Sequence, residues 1–196
     1  MVIVFTDRRQ ARRPLPEVIA AAVDGGARLV VLREKDLPGD ERAALAAQLH
    51  PLLARVGGRL LLAGREAGWA GPAGYARADG QHLAAADAWP ATPPGLIGRS
   101  CHDAGELAGA AAEGCSYATV SPVFPSTSKP GYGPPLGLGK LRELCAGAGL
   151  PVYALGGVES GERAEACRHA GAAGVAVMGA VMRADDPAAV VKELMP

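Results

Sequence analysis

The sequence predicts an α/β fold in which eight parallel strands close into a single (β/α)8 TIM barrel. Apolar, β-branched runs recur eight times along the 196 residues, and most of them are followed by an amphipathic helical pattern. These runs do not alternate strictly with polar residues, which is typical of parallel strands covered on both faces. No G-x-G-x-x-G follows the first run, so the open dinucleotide-binding sheet is the weaker alternative. The length suits one domain, residues 1–196.

The strands and helices follow in order along the chain. Strands are predicted at residues 2–7, 28–35, 59–64, 80–83, 96–102, 117–124, 152–158 and 174–182. Helical patterns occupy residues 17–27, 40–57, 104–114, 138–149, 161–171 and 187–195, and several end in a Gly suited to a helix C-cap. The third and fourth helices are weakly encoded, because residues 66–76 and 85–95 contain Pro and Gly that oppose a long helix.

Net charge, apolar runs and cysteine spacing limit the kinds of binding partner that we expect. Lys and Arg number 20 and Asp and Glu number 20, so the net charge of zero gives no reason to expect nucleic acid or an anionic membrane as a partner. No apolar run approaches the ~20 residues of a membrane span, and the N-terminus does not resemble a secretory signal. The four cysteines form no C-x-x-C pair, which indicates reduced thiols. We therefore expect a cytoplasmic protein with a small-molecule ligand, and a homodimer is left open.

Two strand ends rich in glycine predict a phosphate site. In a barrel of this kind the chemistry lies at the C-terminal ends of the strands, and polar residues cluster there in this sequence. Gly156 and Gly157 follow the seventh strand, while Met178 and Gly179 lie in the eighth predicted strand, near its end. Glycine lets backbone N–H groups approach an anion closely, although a plain tight turn would use the same residues.

Charged residues and histidines at other strand ends are candidates for binding and proton transfer. Arg33 and Lys35 would share one face if the second strand continues through them, with Glu34 turned to the outer layer. They could hold a second anion or simply form a solvated strand end. His82 and His102 stand at strand ends, where a histidine serves as an acid or base or forms a hydrogen-bonded pocket wall.

Six motifs carry a resemblance to a known family. They are LREKD (32–36), ADGQHL (78–83), IGRSCH (97–102), PVFPSTSKPGYGPPLG (122–137), PVYALGGV (151–158) and AGAAGVAVMGAV (170–181). Their order and spacing over nearly the whole chain resemble the thiamin phosphate synthase and TenI-like thiazole tautomerase group. The resemblance implies a (β/α)8 barrel. It also implies, for synthase members, the joining of a pyrimidine pyrophosphate to a thiazole phosphate with Mg²⁺ and loss of pyrophosphate.

The resemblance also assigns roles to single residues. The segment 123–137 would close over the substrates, with Ser126 and Ser128 as hydroxyl donors and Lys129 reaching the pyrophosphate. Ser100 would lie in the floor of the pocket. The glycine-rich ends of strands seven and eight would take the thiazole phosphate.

The chain departs from the synthase pattern around the metal. Val31 stands where synthases usually carry Gln, and Ala63–Gly64 stands where they carry Asn-Asp. Asp87 matches the second metal carboxylate, but the Gly-Gln before it is replaced by Ala84–Ala85. Because Mg²⁺ usually keeps one or two carboxylates beside phosphate oxygens, the loss of one weakens the metal site.

These departures favour the tautomerase branch, which aromatises a thiazole carboxylate phosphate without a cofactor. The residues at 64–65 and 98–100 resemble that branch. The usual tautomerase His is Pro122 here, so the proton shuttle would fall to His102, His82 or Glu34. The alternatives are a synthase that uses Mg²⁺ and a non-catalytic regulator that binds a thiazole or thiamin phosphate.

Overall fold

Eight parallel strands form a closed barrel in the computed structural model, which describes residues 1–64, 78–91, 95–126 and 134–196. Each strand pairs with the next along the chain, and the last pairs with the first. The strands are β1 Val2–Phe5, β2 Leu29–Leu32, β3 Arg59–Ala63, β4 Gly80–Leu83, β5 Leu96–Cys101, β6 Tyr117–Val120, β7 Val152–Leu155 and β8 Gly174–Val177. The barrel predicted from the sequence is confirmed.

Helices cover the outside of the barrel. They are α1 Leu15–Asp24, α2 Gly39–Ala54, α3 Ala104–Ala112, α4 Gly137–Gly147, α5 Gly161–His169, α6 Gly179–Met182 and α7 Pro187–Leu194. Residues 84–91, in the Pro-rich region after β4, form turns rather than a helix, as their composition predicts. None of the helices in the described residues is long and apolar enough to cross a membrane.

The barrel walls separate two apolar layers. Side chains alternate along each strand, so Ile3 and Phe5 of β1 face the barrel interior while Val2 and Val4 face the helices. The interior layer also contains Leu29, Val31, Leu61, Ala63, Tyr117, Tyr153 and Ala176. Most positions on both faces of the strands are therefore buried, which explains the absence of polar alternation in the sequence.

The strands end earlier than the sequence predicts. β1 stops at Phe5, β2 at Leu32 and β6 at Val120, so the polar residues that follow lie in loops at the C-terminal end of the barrel. The expectation that Arg33 and Lys35 share a strand face is wrong, because the Lys35 amide donates to the Arg33 carbonyl at 2.6 Å and turns the chain. Loops can aim polar groups inward without strand alternation.

Candidate active site

The C-terminal ends of the strands surround a cavity of about 620 Å³, a size suited to a small-molecule substrate. Most of the sequence-predicted site residues line it. These are Arg33, Lys35, His82, Ser100, His102, Ser126, Gly156, Gly157, Met178 and Gly179. Ser128 and Lys129 lie outside the described residues.

A chain of three hydrogen-bonding side chains crosses one wall of the cavity. His82 of β4 is buried, and its Nδ1 lies 3.0 Å from the Tyr117 hydroxyl of β6. Its Nε2 lies 3.0 Å from the Ser100 hydroxyl of β5. The Phe5 ring packs edge-on against the imidazole, with the ring centres 4.8 Å apart. The imidazole is therefore held on three sides.

Burial sets the protonation states of His82 and Tyr117. Burial, together with the nearby Lys35 and Arg99 charges, lowers the pKa of His82 to about 3, so the ring is neutral near pH 7. Burial raises the pKa of Tyr117 above its ordinary value, so the phenol keeps its proton. Of the two roles that the sequence left open for His82, its burial and its two hydrogen bonds favour the hydrogen-bonded pocket wall.

Only one direction of hydrogen-bond donation among Tyr117, His82 and Ser100 satisfies the buried polar atoms. If His82 carried its proton on Nδ1, the buried Tyr117 O–H would have no acceptor among the described residues. The Tyr117 O–H therefore donates to Nδ1, and Nε2–H donates to Ser100. The Ser100 hydroxyl proton is then free to donate to a ligand in the cavity that this residue lines.

His102 lies at the rim of the cavity, before α3. Its Nδ1 lies 3.0 Å from a Glu106 carboxylate oxygen, and the same oxygen accepts the His102 backbone N–H at 2.7 Å. Asp103 caps α3 by accepting the Glu106 backbone N–H at 2.8 Å. The position of the ring is thus set by the start of the helix.

Glu34 has a structural role that the sequence did not indicate. The carboxylate is buried and accepts hydrogen bonds from the Thr6 hydroxyl at 2.8 Å, the Arg8 backbone N–H at 3.0 Å and Arg8 Nη1 at 3.0 Å. It is not among the residues that line the cavity. The proposed proton shuttle role is therefore wrong for Glu34, because three donors already use its oxygens to join the ends of β1 and β2.

The paired glycines after β7 form a backbone wall that no other residue could build. Gly156 and Gly157 have φ angles of +95° and +69°, which favour glycine. A Cβ atom on Gly156 would lie 2.9 Å from Pro122 Cα, and one on Gly157 would lie 2.4 Å from the Pro125 carbonyl oxygen. Arg163 Nη1 supports the turn from outside by donating to the Gly157 carbonyl at 2.7 Å. The bare backbone therefore faces the cavity, as the phosphate prediction requires.

Two cations line the cavity after β2. The side chain of Lys35 crosses Gly64, where a Cβ atom would lie 3.1 Å from its Cε and 3.3 Å from its Nζ. Gly64 itself has a φ of +86°. The space that a side chain at residue 64 would use is thus filled by a lysine, and Arg33 adds a second positive charge to the same cavity.

The structure does not support Asp87 as a metal ligand. One of its carboxylate oxygens accepts the Ala84 backbone N–H at 2.7 Å and closes the turn after β4. The cavity lining at the ends of β3 and β4 includes Ala63, Ala84 and Ala85, which carry no side-chain oxygen, and it does not include Asp87.

The remaining described residues do not provide a magnesium site either. They contain no group of three His, Cys, Asp or Glu side chains that could hold a metal ion. Mg²⁺ needs oxygen ligands in octahedral geometry. A magnesium ion held by three or more protein side chains therefore has no site in this part of the chain, whereas an ion bound mainly by substrate phosphate oxygens needs only one or two carboxylates.

Buried Arg99 fixes the loop that carries Asp87. Its Nη1 donates to the carbonyl oxygens of Ala84, Ala85 and Asp87 at 3.2, 3.0 and 2.8 Å. Its Nη2 lies 2.8 Å from the Glu113 carboxylate. The two N–H groups of Nη1 are thus shared among three carbonyl oxygens of the loop after β4.

Sequence reasoning missed several residues of the site. Tyr117 was not singled out, although it contacts His82, and Glu159 lines the cavity beside the paired glycines. Phe5 and Ser121 also line it. Phe5 and Ser121 lie at strand ends that the sequence shows, whereas Tyr117 begins β6 and contacts His82 only through the pairing of β4, β5 and β6.

Comparisons with known proteins identify the family of the chain. The family model described as thiamine monophosphate synthase matches residues 2–181. A thiamine-phosphate synthase of Roseiflexus sp. is 37% identical in an alignment of 202 positions. The alignment covers 99% of this chain and 83% of the relative. A Geobacter sulfurreducens protein, named provisionally as a thiamine-phosphate synthase, is 42% identical over 191 residues, which cover 94% of this chain and 87% of the relative.

A solved structure shows the same fold over the same length. The thiamine phosphate pyrophosphorylase of Pyrococcus furiosus superposes with a TM-score of 0.84 at 28% sequence identity. The match covers 98% of this chain and 92% of that one. The chain therefore belongs to the thiamine monophosphate synthase family of enzymes.

Proposed function

We propose that this enzyme is a thiamine-phosphate synthase that joins a hydroxymethylpyrimidine pyrophosphate to a thiazole phosphate. One observation carries the proposal: a single cavity has two separate regions suited to anions. Arg33 and Lys35 line it after β2, and the glycine backbone lines it after β7 and β8, with β1 between the two regions in the closed barrel. A synthase has two phosphorylated substrates, whereas a tautomerase has one.

The chemistry assigns a task to each region. The thiazole nitrogen forms a C–N bond to the pyrimidine methylene carbon, while the C–O bond to the pyrophosphate breaks and the leaving group keeps the electron pair. Arg33 and Lys35 would hold the pyrophosphate and stabilise the charge that develops on it. The backbone at Gly156, Gly157 and Gly179 would hold the thiazole phosphate.

Ser100 supplies a hydroxyl donor between these regions. Because His82 donates to the Ser100 oxygen, the hydroxyl proton can be directed at a substrate acceptor in the cavity. The described residues do not build a magnesium site, so no step above depends on a metal held by them.

The tautomerase that the sequence departures favoured has less support. The relatives described above are named as thiamine-phosphate synthases. This agrees with the synthase that the sequence analysis gave as the alternative to a tautomerase. Of the three residues expected to shuttle protons, His82 is neutral with a pKa of about 3, and Glu34 is occupied by three donors. Only His102 is left in a suitable position at the cavity.

The test is direct synthesis. Purified protein is mixed with hydroxymethylpyrimidine pyrophosphate, thiazole phosphate and Mg²⁺, and thiamin phosphate is measured as fluorescent thiochrome. We expect product at a catalytic rate from the wild type and none from the Gly157→Val variant purified in the same way, which controls for a contaminating host enzyme. Conversion of the non-aromatic thiazole tautomer without synthesis of thiamin phosphate would overturn the proposal.

A further inference from the structure

Arg183 folds back along α6 and packs against Gly179 at the other end of this one-turn helix. A Cβ atom on Gly179 would lie 2.2 Å from Arg183 Nη1 and 2.7 Å from both Cζ and Nη2. A side chain at residue 179 would meet the guanidinium group, which would then have to move aside. The guanidinium therefore occupies the space that a side chain of the cavity wall would otherwise fill.

A short network holds the guanidinium in this position. Arg183 Nη1 donates to Gln10 Oε1, and Gln10 Nε2 donates to an Asp7 carboxylate oxygen at 2.6 Å. The second bond turns the Gln10 carbonyl toward Arg183. Glu159 Oε1 lies 3.7 Å from Arg183 Nη2, which is an ion pair but too long for a hydrogen bond.

Most of the donors of this guanidinium are not used by the described residues. An arginine side chain carries five N–H donors, and the one hydrogen bond to Gln10 uses a single donor. The side chain is 39% exposed, so a ligand can reach it. Arg183 is thus a positioned cation with free donors.

The Arg183 guanidinium lies close to Gly179, which the proposed function assigns to the thiazole phosphate. Glu159, Gly179 and Ala180 line the main cavity and also an adjoining cavity of about 460 Å³ that contains Arg183. Arg183 does not itself line the main cavity, but it packs against Gly179, which lines both cavities. An anion bound against the Gly179 backbone would be within the range of this charge.

We propose that Arg183 is a specificity residue that selects a phosphate monoester dianion in the cradle formed by Gly156, Gly157 and Gly179. The inference rests on the proposed function, in which this cradle holds the thiazole phosphate. Hydrogen bonds from a charged guanidinium to phosphate are about twice as strong as neutral ones, and the planar fork can contact two phosphate oxygens. Glu159 would repel the dianion if Arg183 did not compensate its charge.

The proposal predicts a selective loss in an Arg183 variant. Dissociation constants are measured by calorimetry for wild type, Arg183→Lys and Arg183→Gln with three ligands: thiazole phosphate, its dephosphorylated alcohol and hydroxymethylpyrimidine pyrophosphate. We expect Arg183→Gln to raise the constant for thiazole phosphate about 10- to 100-fold and to leave the other two unchanged, with a smaller rise for Arg183→Lys.

Arg12→Gln is the matched control. Arg12 pairs with Asp185 and lines the adjoining cavity but not the main one, so this variant removes one positive charge from the same surface. We expect it to bind thiazole phosphate as the wild type does. Thermal melting of each variant shows whether it is folded.

Three results for the variants would overturn the proposal. They are an unchanged constant for thiazole phosphate in Arg183→Gln, an equal loss for phosphate and alcohol, and an equal loss in Arg12→Gln. A wild type that binds neither the phosphate nor the alcohol would overturn it as well. The proposed function fails separately, when the wild type binds thiazole phosphate with Arg183-dependent affinity but makes no thiamin phosphate.

Discussion

Gly98 and Tyr117 face each other in the paired strands β5 and β6, and the Tyr117 ring passes through the space that a side chain on residue 98 would need. A Cβ atom on Gly98 would lie 2.2 Å from Tyr117 Cζ and 2.5 Å from its hydroxyl oxygen. On its other side Gly98 pairs with His82 of β4. The glycine thus allows two side chains from strands that are not neighbours to meet over β5.

Gly98→Ala should destabilise the protein by about 1–3 kcal/mol, because the added methyl group collides with a buried ring in a packed interior. The free energy of unfolding is measured in urea. Gly109→Ala is the control, since a Cβ atom at this position of α3 would meet nothing within 4 Å. It should stabilise the helix by up to about 1 kcal/mol. Equal stability of the two variants would show that Tyr117 does not lie over Gly98.

The free energy of unfolding should fall as the pH is lowered from about 6.5 toward 3, partly because of His82. An unfolded histidine binds a proton below about pH 6.5, whereas folded His82 binds one only near its pKa of about 3. Between these values the unfolded state holds more protons. The free energy of unfolding therefore loses nothing to His82 above pH 6.5 and falls as the pH drops below that value. The contribution of this one residue to the fall is at most about 1.4 kcal/mol per pH unit.

Urea titrations of wild type, His82→Gln and His169→Gln between pH 4 and 7.5 would measure this effect. The slope of the unfolding free energy against pH should decrease in His82→Gln. It should persist in His169→Gln, because His169 is exposed on α5. ¹⁵N NMR of labelled histidine should show a neutral ring with its proton on Nε2. A ring that titrates near pH 6.5 would contradict the buried hydrogen-bonded chain.

Gly157→Ala should raise the KM for thiazole phosphate at least tenfold, because the new Cβ atom would lie 2.4 Å from the Pro125 carbonyl oxygen and displace the cradle. Steady-state kinetics measure the change. Gly57→Ala is the matched control, since its φ of +68° is nearly that of Gly157 at +69° but nothing lies within 4 Å of its Cβ position. Both should lose about 1 kcal/mol of stability through backbone strain. A similar KM in the two variants would contradict the cradle.

Asp87→Asn should leave the Mg²⁺ concentration for half-maximal activity unchanged. The amide oxygen of Asn can still accept the Ala84 backbone N–H, which is the contact that Asp87 makes in the turn. The measurement is a magnesium titration of the synthase reaction for wild type and variant. A rise of tenfold or more would mean that the carboxylate binds the metal.

Some features of the site were visible in the sequence because they depend on local chain chemistry. Gly156 and Gly157 were predicted to form a backbone phosphate site from their place after the seventh strand, and the structure places both at the cavity. Arg33 and Lys35 also line the cavity, although the strand argument that grouped them was wrong. A strand end is enough to bring a residue to this rim of a barrel.

The roles of other residues could not be predicted from their motifs, because they depend on which groups of the folded loops donate to them. Glu34 was a candidate acid until Thr6 and Arg8 proved to occupy its oxygens. Asp87 matched a metal ligand until it was found to close a turn. In both cases the motif identified the residue, and the neighbouring loop decided what its carboxylate does.

The sequence by itself determined the barrel, the end of it that carries the cavity and the glycines that line this cavity. Hydrophobic periodicity and backbone freedom are properties of short segments, so they can be read one segment at a time. Only the tertiary structure decided that His82 is neutral and that Arg183 lies against Gly179. Burial and contact arise when strands and loops distant in sequence are brought together, and these set both the pKa of a side chain and the direction in which it donates.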